Sequence, residues 1–188
     1  ATVSATGNTS GSSTGSVLTV YAGGLIGQAG GAVSGSSAAT TLTSVVNNDH
    51  VGGNANNRSG GLIGTAFSAV TSSQATGTVQ ASGRATSATG RLTVAAGGLV
   101  GFAGSTGAIT RGTSGVAVTA ATTGASDVAT LIAGGLVGTN VSAVSYGTAT
   151  GNVTVNGGAA SNTTIIQAGG LVGFNTASIS ASSASGST

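Results

Sequence analysis

The only histidine in the chain, His50, directly follows Asp49 in the most polar stretch of the sequence, VNNDHVGGNANNR, Val46 to Arg58. An Asp–His pair is a candidate general base, and the same two side chains are candidate metal ligands. The rest of the sequence completes neither chemistry. A metal centre takes three or four ligands, and the chain offers no cysteine, no glutamate and one further acid, Asp127. A Ser-His-Asp set can be assembled on paper from so many serines, but no G-x-S-x-G sequence is set between a strand and a helix to expose a nucleophile. Gly24, Gly27 and Gly30 are spaced GxxGxxG and lack the Lys-Ser/Thr pair of a phosphate-binding loop. Calcium-binding β-roll repeats need an aspartate in each short repeat, and polysaccharide-cleaving β-helices need clustered acids or bases; two aspartates supply neither. The segment is therefore expected to be an Asn/Gly-rich corner loop, with no catalytic residue, no metal and no cofactor, and the chain is not expected to be an enzyme.

Composition narrows the partners in the same direction. The six charged residues are Asp49, Asp127, Arg58, Arg84, Arg91 and Arg111, and lysine is absent. Four scattered arginines do not form the basic stripe that neutralises nucleic-acid phosphates or anionic lipid, so no nucleic-acid partner is expected. The apolar residues are dispersed among Gly, Ser and Thr, and no window holds the ~20 apolar residues of a spanning helix. No membrane insertion is expected.

What the sequence does repeat is a set of elements. Gly-Gly-Leu-(Ile/Val)-Gly begins at Gly23, Gly60, Gly97, Gly134 and Gly169, with spacings of 37, 37, 37 and 35 residues. The motif residues are Gly23, Gly24, Leu25 and Gly27; Gly60, Gly61, Leu62 and Gly64; Gly97, Gly98, Leu99 and Gly101; Gly134, Gly135, Leu136 and Gly138; and Gly169, Gly170, Leu171 and Gly173. Two further columns follow the period: Leu42, Val79, Val116 and Val153, and Val33, Val70, Ile109, Val144 and Ile179, the second with a two-residue insertion before Ile109 that a shorter turn then cancels. Between the glycines, runs such as Leu18–Ala22, Leu92–Val94 and Val153–Val155 alternate in the strand pattern. With 36 glycines in 188 residues, a helix would lose about 1 kcal/mol at each one. The expected fold is all-β, a parallel β-solenoid of ~37-residue repeats in which like residues stack. Residues 1–188 form one array, with a partial repeat before Gly23, and the five motif leucines make an interior column. The paired glycines supply either a positive φ or a close backbone approach at a corner. Whether a repeat is one coil or two is open at this level. In the second repeat Ala55 and Asn57 take the places of Leu92 and Val94, and an interrupted strand is expected there. Both ends fall within a repeat, which is expected of a window on a longer array.

Gly134-Gly135-Leu136-Val137-Gly138-Thr139-Asn140, then Val144-Ser145-Tyr146 and Ala149-Thr150-Gly151-Asn152-Val153, resemble the GLUG motif. That motif occurs in repeat arrays of large bacterial surface proteins, including filamentous-haemagglutinin-like adhesins and non-catalytic regions of some immunoglobulin-A-cleaving metallopeptidases. The first and third repeats depart from it at Ala38-Ala39-Thr40 and in the inserted turn at Gly107. The resemblance implies an extracellular, cell-surface scaffold and carries no catalytic residue across.

Three functions fit such a chain: a structural or adhesive solenoid associating end to end with itself and touching host or matrix receptors, an ice-binding solenoid, or a non-catalytic part of a larger secreted enzyme. Ice binding asks for Thr-x-Thr pairs stacked in one column. Thr41/Thr43, Thr76/Thr78 and Thr148/Thr150 lie at different offsets from the motif glycines and are not expected to stack. Phe102 and Phe174 share a column, with Phe67 two residues further on in its repeat, and are expected to fill core or corner positions. Asn8, Asn57, Asn140, Asn152 and Asn162 begin Asn-x-Ser/Thr sequons and are candidates for glycosylation.

Overall fold

The computed structural model describes residues 1–9, 15–49, 51–86, 89–124, 126–158 and 161–188. Among them every regular element is a strand, and every strand pairing is parallel to an equivalent strand of the neighbouring repeat, which makes a β-solenoid of about five coils. The register settles the coil size. Leu42 lies beside Val79 and Arg58 beside Ala95, each 37 residues on, so one repeat is one coil.

Four sheets run along the solenoid. Sheet A holds the long strands Ser37–Asn48, Gln74–Ala85 and Thr113–Gly124, flanked by Thr2–Thr9 on one side and by Thr148–Ala149, Val153–Asn156 and Ser183–Ala184 on the other. Sheet B holds Val17–Gly23, Asn54–Gly60, Arg91–Gly97, Ser126–Gly134 and Ser161–Gly169. Sheet C holds Ile26–Ala29, Ile63–Ala66, Val100–Ala103, Val137–Asn140 and Val172–Asn175, and sheet D the short pairs from Val33–Ser34 to Ile179–Ser180. Each coil passes from B through C and D to A.

Alternation along the strands sends one face inward. Leu42, Val79 and Val118 from sheet A and Leu92, Val94 and Leu131 from sheet B are fully buried. Val79 stacks on Val118, and Val116 takes the register of Gly77 instead of that of Val79. The two-residue insertion before Ile109 is thus carried through Thr113–Gly124 and is cancelled only at the following corner, since Leu92 and Ala129 are again 37 residues apart. Sheet A presents Thr and Ser outward, with Thr41 and Thr43 beside Thr78 and Gln80, and Thr148 beside Thr113. No Thr-x-Thr pair lies on another.

The motif leucines form the interior column only in the middle coils. Leu62, Leu99 and Leu136 are 0% exposed, whereas Leu25 is 54% exposed and Leu171 only partly buried. The end coils have a neighbour on one side only. The motif glycines are there for close approach. None of them has a positive φ, and a Cβ on Gly97 would overlap the Val100 carbonyl oxygen. The left-handed corner lies elsewhere, at the equivalent positions Gly35, Ser72, Arg111, Tyr146 and Ala181, with φ between 47° and 58°.

Candidate binding groove

The polar segment that carried the candidate chemistry is mostly strand. Asn54–Gly60 pairs on both sides, so the expected interruption does not occur. Asn57 occupies the inward column of Val20, Val94, Leu131 and Ile166. Its Nδ2 donates to the Ser44 carbonyl at 3.1 Å and the Ser82 carbonyl at 2.9 Å, and its Oδ1 accepts from the Ser59 hydroxyl at 2.8 Å. Ser59 and Ser44 hydroxyls lie 2.6 Å apart, and all three side chains are buried. An amide whose donors and acceptor are all satisfied is tolerated inside an apolar column. Asn57→Ala is expected to remove the three hydrogen bonds of the amide and to lower stability by about 1–3 kcal/mol. An unchanged denaturant midpoint in that variant would show that the network carries no stability.

The other polar residues of the segment serve the coil. Asn47 donates to Asn8 at 2.7 Å, buried Asn48 donates to the Gly53 carbonyl at 2.8 Å, and Asp49 accepts from the Thr86 hydroxyl at 2.9 Å. His50 lies outside the described residues, so the Asp49–His50 pairing does too. Among the described residues no three metal-ligand side chains come together. Of the sequon asparagines, Asn57 and Asn140 are fully buried and hydrogen-bonded, while Asn8 and Asn152 are exposed; the side chain of Asn162 lies outside the described residues.

The aromatic side chains mark a different place. Phe67 and Phe174 are exposed and Phe102 is half-buried, so they do not fill the core, and Thr139 separates Phe102 from Phe174 in their shared column. Sheet C brings that column against the outer face of sheet B, where Tyr21, Arg58, Ala95, Ile132 and Gln167 form a column of their own. Between the two lies a groove of about 290 Å³ on the outside of the coil. Its walls are Phe102, Thr139 and Phe174 on one side and Ala95, Ile132 and Gln167 on the other, and Arg58, Asn56, Thr93 and Thr130 also line it. The Arg58 guanidinium carbon is 4.1 Å from the centroid of the Phe102 ring and 5.9 Å from that of Tyr21, a cation–π arrangement on two rings. Phe67 meets Phe102 edge-on, with centroids 6.4 Å apart at 61°.

The 37-residue spacing already aligned Tyr21, Arg58, Ala95 and Ile132. What it could not show is the turn through the motif glycines that sets sheet C against that column. A second, polar groove of about 310 Å³ lies at the D–A corner, lined by Ser36, Ser72, Ser73 and Arg111. No family model, no curated protein and no solved structure matches this chain.

Proposed function

We propose that the chain is an extracellular structural and adhesive scaffold of a bacterial surface, a rod that grows by stacking coil on coil. One observation carries the reading: the end coils expose the columns that the middle coils bury. Leu25 is 54%, Ile166 52% and Ile179 41% exposed, while their column equivalents Leu62, Leu131 and Ile109 are 0% exposed. Strand Val153–Asn156 has a ladder partner on one side only, Thr113–Gly124. Open strand edges above apolar columns are surfaces that recruit another strand of the same kind, and lysine, the usual edge-blocking residue, is absent. The occupant is a further coil with the same columns, supplied by a second copy or by a longer array. The likeness to GLUG repeats supports the surface location and contact with host or matrix receptors.

Electron microscopy of the purified chain tests the reading. Rods that lengthen with protein concentration are expected, and Leu25→Lys combined with Ile166→Lys, both on exposed end faces, should return them to single particles. Uniform short particles at every concentration in the parent chain would contradict it.

A further inference from the structure

Among the described residues Arg58 is a cation without a counter-charge. The chain has two acids, and among the described residues neither lies within ion-pair distance of its guanidinium. Its guanidinium carbon lies over the rings of Phe102 and Tyr21, and among the described residues its N–H groups have no hydrogen-bond acceptor. Arg58 lines a groove that begins at it in the second coil and ends at Phe174 in the fifth. At ~4.8 Å per rung the groove is about 14 Å long. Beyond Arg58 most of its exposed surface is apolar, from Ala95, Ile132, Phe102 and Phe174, although five of its ten lining residues are Asn, Thr or Gln.

We propose that this groove binds an organic carboxylate with a flat apolar body, the carboxylate at the edge of Arg58 and the body over Ala95 and Ile132, between the rings of Phe102 and Phe174. A planar guanidinium matches a carboxylate with two parallel hydrogen bonds, and its contact with the Phe102 ring at 4.1 Å holds it beside the groove in advance. A phosphate or sulfate would leave most of its oxygens facing apolar walls with a single arginine to serve them, at a large desolvation penalty. An unsubstituted sugar could pair some hydroxyls with the Asn, Thr and Gln side chains of the groove but would lay others against its apolar surface. An apolar ring removes water from the walls and meets two aromatic neighbours. The site lies within one chain, so it goes beyond the scaffold reading and stands or falls separately from it.

The test uses the whole chain with hydrocinnamate as the probe, followed by backbone-amide NMR and calorimetry, beside its neutral isostere hydrocinnamamide, acetate and N-acetylneuraminate. Hydrocinnamate is expected to shift the resonances of Arg58, Ala95, Ile132 and Phe102, and to bind about tenfold more tightly than the amide, the size of one lost charge-assisted interaction. Arg58→Met should lose the same factor, and Phe174→Ser, on an exposed end-coil position, should weaken binding several-fold without changing the fold. Equal binding of acid and amide, or full affinity in Arg58→Met, would overturn the role of Arg58. Acetate binding as well as hydrocinnamate, N-acetylneuraminate binding better, or no hydrocinnamate shifts at millimolar concentration would overturn the proposed ligand class. The acid-to-amide comparison is made on the parent chain and so holds even if a variant fails to fold.

Discussion

Leu99→Asp is expected to unfold the chain at temperatures where the parent is stable. Leu99 is wholly buried in the central coil, stacked between Leu62 and Leu136, whose carbonyl and amide groups its backbone pairs with at 2.8–3.0 Å. A carboxylate there has no cation to pair with: lysine is absent, and Arg111, in the same coil, projects from an outer corner onto the Tyr146 ring. Burying it unpaired, or protonating it to avoid the charge, costs several kcal/mol against a total stability of about 5–15 kcal/mol for a domain of ordinary size. Leu25→Asp makes the same chemical change in the same column at an end coil. Because Leu25 is mostly exposed, its thermal midpoint should move far less. Equal midpoints for Leu99→Asp and the parent would mean that the motif leucines do not form an interior column.

Gly97→Ala should be nearly as damaging, for a different reason. The added Cβ would meet the Val100 carbonyl oxygen and the Gly138 amide, both backbone atoms, so nothing flexible can give way. Opening that turn would break the seat of sheet C on sheet B, and a loss of several kcal/mol is expected, in the class of overpacking with backbone shifts. Gly115→Ala is the contrasting case. Its Cβ would meet the Thr76 methyl at 3.6 Å, an ordinary contact, and its φ is not positive. There the loss of chain freedom in the unfolded state should stabilise by about 0.4–1 kcal/mol. Denaturant midpoints of the two variants should therefore move in opposite directions.

The periodic parts of this fold were legible because a solenoid makes residues one repeat apart into neighbours. Leu62, Leu99 and Leu136 stack as their spacing implied. The coil size was not legible, since a 37-residue period is compatible with one turn or two until strand register is known. The glycines left two physical readings, and close approach is the one that applies. The left-handed corner is not legible in the sequence, because four of its five occupants, Ser72, Arg111, Tyr146 and Ala181, are not glycine. Asn57 looked like a break because a polar residue stood in an apolar column. Its amide is satisfied by carbonyls 13 and 25 residues away, which local pattern does not reveal. The groove was half legible: the Tyr21–Arg58 column follows from spacing, but the Phe102 ring reaches Arg58 only through the folding of sheet C against sheet B.

Propagation by stacking can be tested at the junction itself, because the chain contains no cysteine. Thr19 and Ile165 share the outward column of sheet B, through Asn56, Thr93 and Thr130, at opposite ends of the solenoid. Within one chain they stand four rungs apart, about 19 Å at ~4.8 Å per rung, beyond the ~7 Å that a disulfide spans between Cα atoms. Across an in-register junction of two copies they become neighbours. The Thr19→Cys, Ile165→Cys double variant, mildly oxidised and run on a non-reducing gel, should give a ladder at multiples of 17.1 kDa that collapses with reductant. A single band at the monomer position from folded protein, with both thiols still free, would contradict end-to-end stacking.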